Sequence, residues 1–124
     1  DNNKDLKFNI FERQMKSQND LINDLLKSRI FLAPGHKAEL FCLAAEEARE
    51  LCIPIVTMGI GSLYERVIHE KTGFIAKDED EFAHYTIELF KNNELWNKIR
   101  SNLLKLRGSY NWSNASNNLL KIIT

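Results

Sequence analysis

The chain contains few of the residues that mark specialised protein classes. Among 124 residues there are two cysteines, two prolines and five glycines. Cys42 and Cys52 fall near the two ends of one predicted helix, roughly 15 Å apart, which is too far for a disulfide. No CxxC motif and no Cys/His spacing typical of a metal site is present. We therefore expect two small apolar cysteines in a reducing compartment, and no metal site.

Neither sign of charge is in excess, and long hydrophobic runs are missing. There are 17 Lys and Arg and 17 Asp and Glu, so the chain lacks the electrostatic footprint of a protein that binds nucleic acid or an anionic membrane. No apolar run approaches the roughly 20 residues that span a bilayer, and no signal segment opens the sequence. Because the first residue is Asp1 rather than Met, we expect a processed chain or a part of a longer protein.

Apolar runs alternate with amphipathic segments along the chain. Four runs predict strands, at residues 8–11, 29–33, 53–57 and 73–76. Helices are predicted from Asn19 or Asp20, over residues 39–52, 78–90 and 94–107, and from Asn111 or Ser113 onward. This alternation predicts an α/β fold: a Rossmann-like open parallel sheet of about four strands flanked by helices, with extra C-terminal helices, in one domain over residues 1–124. Ligands of such sheets bind beyond the carboxyl ends of the strands, which indicates the loops at residues 34–38 and 58–62.

Glu47 occupies an unusual place on the helix that follows the first of these loops. At about 100° per residue it falls between Leu40 and Leu43, inside the predicted apolar arc. The neighbouring charged residues fall on the predicted solvent side: Glu46, Arg49 and Glu50. A carboxylate in an apolar arc is costly unless it is paired. Either an Arg, a Lys or a backbone amide pairs with Glu47, or the helix ends in solvent there, or the carboxylate accepts hydrogen bonds from the hydroxyls of a ligand.

Glu39 stands at the predicted start of the same helix. Unpaired N–H groups and the positive end of the helix dipole favour an acid in the first turn. The same groups can bind a phosphate, and Gly35 in the preceding loop is compatible with a diphosphate on the amides of about Leu40 to Cys42. Glu39 is therefore either an ordinary first-turn acid or a residue of a ligand site.

Glu39 and Glu47, with seven residues between them, resemble the Glu–seven–Glu motif of family 4-type retaining glycosyltransferases, which have the two-domain GT-B fold. The flanking segment LINDLLKSRIFLAP is similar to the family's helix and following strand. ELFCLAAEEARELCIPIVTMGIGSLYERVIHEKTGFIA is similar to its motif helix, buried strand, glycine loop and closing strand. NWSNASNNLLKIIT is similar to its terminal helix. The resemblance begins near Phe8 and implies part of the C-terminal, nucleotide-sugar-binding domain.

The resemblance implies a nucleotide diphosphate sugar as donor and a glycan or lipid as hexosyl acceptor. Glu47 would accept hydrogen bonds from the ribose hydroxyls, and the catalytic Glu39 would bind hydroxyls of the transferred sugar. The amides at the helix start would hold the diphosphate, so no metal or other cofactor is expected. The other donor-binding residues implied are Gly35, His36, Lys37, Leu40, Phe41, Cys42, Leu43, Gly59, Gly61 and Ser62.

The sequence departs from the family pattern within this donor site. Cys42 stands where glycine is usual, Ser62 replaces the second of two glycines, and one extra residue separates Pro34 from Glu39. The opening strand unit with its Arg and Lys, and the N-terminal domain that would hold the acceptor, are not recognised. We expect an inactive fragment of an enzyme that is cytoplasmic, or bound at the cytoplasmic membrane surface. Its terminal helix is expected to cause self-association through Leu119, Ile122 and Ile123.

Two other functions remain open at this point. Cys42 and the missing first segment favour a non-catalytic interaction domain of the same ancestry. An epimerase-type nucleotide-sugar domain shares the two-domain architecture. Glu65 follows the glycine loop as in the family, and we interpret it as a local cap or ion-pair residue. The three histidines share no metal-ligand spacing: His36, His69 and His84.

Overall fold

A three-stranded parallel sheet lies at the centre of the fold. The computed structural model describes residues 17–38, 40–109 and 111–123. In these residues the elements are α1 (Gln18–Leu26), β1 (Phe31–Gly35), α2 (Leu43–Glu50), β2 (Ile55–Ile60), α3 (Leu63–Arg66), β3 (Gly73–Ile75), α4 (Glu79–Lys91), α5 (Asn93–Leu106) and α6 (Trp112–Ile123). The strand predicted at residues 8–11 lies outside the described residues.

The strands follow the order β1-β2-β3, and both pairs are parallel. Phe31 pairs with Ile55, and Ile55 pairs with Gly73, so the three strands start level with one another. Parallel neighbours need crossover connections, which the segments containing α2 and α3 provide. The predicted α/β class, with a Rossmann-like parallel sheet flanked by helices, is confirmed.

Pro54 lies immediately before β2, as predicted for a residue that cannot donate a ladder hydrogen bond. Its carbonyl oxygen still accepts a hydrogen bond from the N–H of Phe31 at 2.9 Å. Pro54 therefore contributes a hydrogen-bond acceptor to the sheet, although proline has no N–H to donate.

Helices cover both faces of the sheet. Successive side chains of a strand point to opposite faces, and β2 accordingly places Ile55 in one core cluster and Val56 in the other. The first cluster, on the side of α2 and α3, contains Ala45, Ala48, Ile53, Ile55, Leu63 and Val67. The second, on the side of α4 and α5, contains Cys52, Val56, Phe74, Leu89, Ile99 and Leu103.

Side-chain caps define where several helices begin. Asp78 Oδ1 accepts a hydrogen bond from the N–H of Glu81 at 2.8 Å, which confirms the predicted start of α4. Asn111 caps α6 in the same way, through the N–H of Asn114 at 2.9 Å. The prediction for α1 was wrong by two or three residues, because Ser17 rather than Asn19 or Asp20 is its N-cap.

The last helix, α6, presents its apolar side chains to solvent. Leu119, Ile122 and Ile123 are 58%, 80% and 68% exposed. This exposure agrees with the predicted uncovered apolar face, whereas self-association through that face stays a prediction. Within the described ranges, the chain has no helix of the length and apolarity that crossing a membrane requires.

Candidate functional site

The two loops predicted to form the site begin side by side. Gly35, the last residue of β1, pairs with Ile60, the last residue of β2. Gly35 has φ +104, and a Cβ atom there would lie 2.7 Å from the Ile60 carbonyl oxygen, so only glycine fits without displacing the backbone. The carboxyl ends of β1 and β2 are thereby held together, which is where open α/β sheets bind ligands.

The first loop carries His36 and Lys37, both exposed. His36 Nδ1 accepts a hydrogen bond from the N–H of Ala38 at 3.1 Å, so this histidine shapes the loop as well as facing solvent. No ion pair joins Lys37 to another residue that the structure describes. Glu39, the predicted catalytic residue, lies outside the described residues.

The helix after this loop begins four residues later than predicted. Leu43 is its first residue, and Cys42 is an extended N-cap whose side chain makes no capping hydrogen bond. Phe41 lies outside the helix, and its ring packs against the guanidinium of Arg66, 4.2 Å from the ring centroid. The amides of Leu40, Phe41 and Cys42 are therefore not first-turn amides, and their contact with a phosphate stays a prediction.

The true first turn of α2 offers a set of free donors. The first N–H groups of a helix have no acceptor within it, and here they belong to Leu43, Ala44 and Ala45. The first intrahelical bond runs from the N–H of Glu46 to the carbonyl of Cys42, at 3.2 Å. Together with the positive end of the helix dipole, these amides can bind an anion.

The predicted apolar arc of α2 was wrong. Ala45 and Ala48 are fully buried and Arg49 is only 6% exposed, whereas Leu40 is 91% and Leu43 is 62% exposed. The buried face therefore lies roughly 100° from the predicted one. The helix starts too late to include Leu40, and the small alanines let it approach the sheet closely.

Arg49 was predicted on the solvent side, and it is buried because its charge is paired. It forms a hydrogen-bonded ion pair with Glu46, and Glu50 lies 3.8 Å away. Arg66 Nη1 lies 3.2 Å from Glu46 Oε1, an ion pair without a directed hydrogen bond. Glu46 is thus flanked by two arginines, and the Arg49–Glu46–Arg66 set joins α2 to α3.

Arg66 was missed by the sequence reasoning. Its partner Glu46 is twenty positions earlier in the chain, so no local spacing reveals the pair. Arg66 also contacts Phe41 in the candidate donor loop. The structure thus adds a cation close to the site that the sequence did not identify.

Glu47 lies on the open side of α2, half-buried, one turn after the exposed Leu43. It is not inside a buried apolar arc. No hydrogen bond or ion pair engages its carboxylate within the part of the chain that the structure describes. This differs from Glu46, and it leaves the Glu47 carboxylate able to accept hydrogen bonds from a ligand.

The second loop contains Gly59, Gly61 and Ser62. The N–H of Gly59 donates to Thr57 Oγ1 at 3.1 Å, which fixes the end of β2. Gly61 has φ +68, and Ser62 after it is 8% exposed. The buried Ser62 hydroxyl has no hydrogen-bond partner among residues 17–38, 40–109 and 111–123. A buried hydroxyl of this kind costs about 1–3 kcal/mol until something pairs with it.

Glu65, on the short helix α3, is exposed and was predicted to cap or to form a local ion pair. Its backbone N–H donates to the Ser62 carbonyl at 3.0 Å. No ion pair joins its carboxylate to a residue within the described part of the chain. The predicted local ion pair is therefore not found there.

An open pocket adjoins the first loop, between α2, α3 and the start of α6. Its volume is about 470 Å³, within the range of small-molecule sites. Its lining consists of Phe41, Glu46, Arg66, Ser109, Asn111, Asn114, Ala115 and Asn118. The asparagine-rich start of α6, for which no role was predicted, therefore supplies amides beside the Phe41 ring. We call this the Phe41 pocket.

A family model described as glycosyl transferases group 1 matches residues 3–105. This span is more than four fifths of the chain, and it includes both loops and the whole of α2. The chain belongs to the group 1 glycosyl transferases. Comparison with curated proteins and with solved structures found no match.

Membership of the group 1 glycosyl transferases gives the chain a role in glycosyl transfer and confirms the family resemblance of its ordered segments. The structure of this glycosyl transferase brings Gly35 and Ile60 together, and it sets α2 and the Gly61–Ser62 loop at the same edge of the sheet. No group of three His, Cys, Asp or Glu side chains could hold a metal ion in the described ranges.

Proposed function

We propose that the chain holds the nucleotide diphosphate sugar donor of a retaining hexosyl transfer, at the carboxyl ends of β1 and β2. The observation that carries this proposal is the pairing of Gly35 with Ile60. It sets the loop before α2 beside the Gly61–Ser62 loop, in a chain that belongs to the group 1 glycosyl transferases. One ligand can therefore contact both loops.

The diphosphate binds at the first turn of α2. The N–H groups of Leu43 and Ala44 are exposed donors at the positive end of the helix. Cys42 takes the place of a glycine, but its side chain caps nothing, so these donors stay available. Lys37 in the preceding loop supplies a positive charge, and no metal is needed.

The Gly61–Ser62 loop lines the phosphate and sugar side of the same site. Gly61 has φ +68, which brings bare backbone to the surface next to β1. The Ser62 hydroxyl lacks a partner within the described residues and can turn to donate to a donor-sugar or phosphate oxygen. Gly35, Gly59 and His36 shape the walls between which the ligand lies.

The two carboxylates of the Glu–seven–Glu motif bind hydroxyls of different parts of the donor. Glu47 is half-buried and has no ion-pair partner in the described part of the chain, so it accepts hydrogen bonds from the two ribose hydroxyls. Glu39 binds hydroxyls of the transferred sugar beside the reacting carbon, a role that rests on the family resemblance alone. Leu40 and Phe41 complete the sugar side.

The acceptor, a glycan or a lipid, is held by an N-terminal domain of the intact enzyme, in the cytoplasm or at the cytoplasmic membrane surface. Transfer requires the acceptor hydroxyl close to the anomeric carbon, and that positioning supplies much of the rate. The 124-residue chain by itself is expected to bind donor with a Kd of about 1 mM, equivalent to about 4 kcal/mol, and to transfer no sugar.

A second candidate is a non-catalytic interaction domain of the same ancestry. The exposed Leu40 and Leu43, 91% and 62% exposed, favour it because they form an apolar surface where the donor would lie. A titration with a panel of nucleotide sugars and simple nucleotides separates the two functions. Binding that requires the ribose supports the donor site, and no binding to any member of the panel supports the interaction domain.

The transfer half of the proposal is tested in the same preparation. An assay that reads both sugar transfer and donor hydrolysis is expected to show neither for the purified 124-residue chain. Turnover that persists in this chain and disappears in Glu39→Ala would show that the acceptor domain is not required.

A further inference from the structure

A second pocket lies at the other edge of the sheet. It is formed by the turn before β3, with His69, Glu70 and Lys71, and by one face of α5, with Lys98, Asn102 and Lys105. This turn leads into Gly73, which pairs with the first residue of β2. The pocket is therefore at the amino ends of the strands, opposite the donor loops. We call it the lysine pocket.

The lysine pocket carries an excess of positive charge in a chain with no net charge. Lys71, Lys98 and Lys105 are all exposed. None of them has an ion-pair partner among the residues that the structure describes. The single carboxylate of the lining, Glu70, lies 3.7 Å from His69 Nε2 and points into solvent with 74% of its side chain exposed. Three positively charged ammonium groups therefore line one pocket, and Glu70 is the one carboxylate in its lining.

A hydrogen bond joins the two walls of the lysine pocket. Asn102 Nδ2 donates to the Lys71 carbonyl oxygen at 3.0 Å, which joins α5 to the turn before β3. Lys98, Asn102 and Lys105 are spaced by four and three residues, so they share one face of α5. The pocket is open to solvent, and its volume is about 550 Å³, enough for a phosphorylated sugar or a phospholipid headgroup.

We propose that the lysine pocket binds a phosphate-bearing ligand with two or more negative charges, separate from the sugar donor. Clustered like charges repel one another, and an anion that bridges them removes the repulsion. Lysine ammonium groups bind phosphate as point charges and do not require a fixed fork geometry. The proposal does not depend on the donor site, because the two sites lie at opposite edges of the sheet and share no residue.

Pyrophosphate is the probe for soluble ligands. Titration followed by amide NMR in about 10 mM salt, where screening is weak, is expected to shift the signals of Lys71, Asn102 and Lys105. Lys98→Ala with Lys105→Ala should weaken this binding about tenfold, equivalent to about 1.4 kcal/mol. The matched control, Lys27→Ala with Lys91→Ala, removes the same charge from exposed positions elsewhere and should change the affinity less than twofold. Pyrophosphate at the donor loops would instead shift Leu43 to Ala45, and that site should be unaffected in either variant.

Vesicles of phosphatidylcholine, with and without a small fraction of a phosphatidylinositol phosphate whose headgroup carries two or more negative charges, test whether the phosphate belongs to a lipid. Sedimentation with the anionic vesicles that is lost in the Lys98, Lys105 variant identifies a phospholipid headgroup, whereas pyrophosphate binding alone identifies a soluble phosphate. Lys98→Arg with Lys105→Arg keeps the charge and should keep the binding, which separates loss of charge from damage to α5. Equal losses in the pocket and control variants, or pyrophosphate shifts confined to residues outside the pocket, would overturn the proposal.

Discussion

Gly35 pairs with Ile60 at the ends of two parallel strands, and a Cβ atom on Gly35 would lie 2.7 Å from the Ile60 carbonyl oxygen. Leu63 Cδ1 is also close to that position, at 3.1 Å. The absence of a side chain at Gly35 is therefore what lets the loop before α2 lie beside the Gly61–Ser62 loop. The geometry of the candidate donor site depends on this one close approach.

Gly35→Ala is expected to destabilise the fold by about 3 kcal/mol, from a strained φ and a backbone clash together. Gly108→Ala is the matched control, because Gly108 also has a positive φ, +74, but a Cβ atom on it would meet nothing within 4 Å. It should cost only about 1 kcal/mol. Urea unfolding measures both, and equal losses in the two variants would show that the contact with Ile60 is not tight.

Arg66 and Glu46 should be energetically coupled. Arg66→Met removes one of the two arginines that flank Glu46, but Arg49 still pairs with that carboxylate. We therefore expect a loss of about 1–2 kcal/mol, less than for an ion pair left without any partner. In a double-mutant cycle with Glu46→Gln the coupling should be about 1 kcal/mol.

Arg100→Met is the control for this cycle. Arg100 also lies over an aromatic ring, 5.3 Å from the centroid of Trp96, but has no ion pair with any residue in the described ranges. Its cycle with Glu46→Gln should show no coupling. A coupling of the same size for Arg66 and Arg100 would mean that the Glu46–Arg66 ion pair contributes nothing specific.

Much of the fold follows from local signals. Unbroken apolar runs predicted β1, β2 and β3, and single polar residues predicted the starts of α4 and α6, at Asp78 and Asn111. These signals act over a few residues, so a single sequence contains them. The resemblance to a glycosyltransferase family likewise rested on a contiguous motif, and the family match confirmed it.

The errors concern contacts between residues far apart in the chain. Phe41 lies outside α2, where its ring packs against Arg66, twenty-five positions later. The buried Arg49 pairs with Glu46, and the second cation beside Glu46, Arg66, comes twenty positions after it. The lysine pocket joins a turn to a helix that is more than twenty residues further along. Apart from Arg49 with Glu46, which are three residues apart on one helix, none of these pairings has a local signature.

The phenol of Tyr85 should titrate at unusually high pH. Its ring stacks on Phe74, with centroids 4.5 Å apart, and burial followed by the hydrogen bond and charge of Glu81 raises its pKa above the ordinary value of 10.0. A raised pKa in the folded state means that the neutral phenol is favoured, so stability falls as the pH rises above 10. As the pH rises above 10, the Tyr85→Phe variant should lose less of its free energy of unfolding than the Tyr64→Phe variant. Urea unfolding at several pH values measures this difference. An identical pH dependence in both variants would contradict the assignment.

The exposed face of α6 should cause the isolated chain to associate. Leu119, Ile122 and Ile123 form this face and are more than half exposed. Light scattering should show a mass that rises with concentration, and Ile122→Gln with Ile123→Gln should restore a monomer. Asn117→Gln, on the same helix, is the control and should associate like the original chain. A strict monomer at high concentration would count against this role for α6.

The carboxylate of Glu47 is the most direct point at which to test the proposed donor site. Glu47→Gln should change the free energy of unfolding by less than about 0.5 kcal/mol, because the side chain is only half-buried and has no ion-pair partner in the described ranges. It should weaken donor binding by about 1–3 kcal/mol, the cost of a lost charged hydrogen bond. Glu94→Gln, in the first turn of α5, is the control for loss of one exposed charge.

Titration of the chain with nucleotide diphosphate sugars and their deoxyribose counterparts, followed by amide NMR because the expected affinities are millimolar or weaker, is the decisive measurement. The donor-site account predicts that removing a ribose hydroxyl weakens binding to the original chain and to Glu94→Gln, but causes a smaller loss in Glu47→Gln, because the uncharged amide keeps only one acceptor oxygen for that hydroxyl. If removing a ribose hydroxyl weakens binding to Glu47→Gln as much as it weakens binding to the original chain, Glu47 does not contact the ribose. The proposed site would then be wrong.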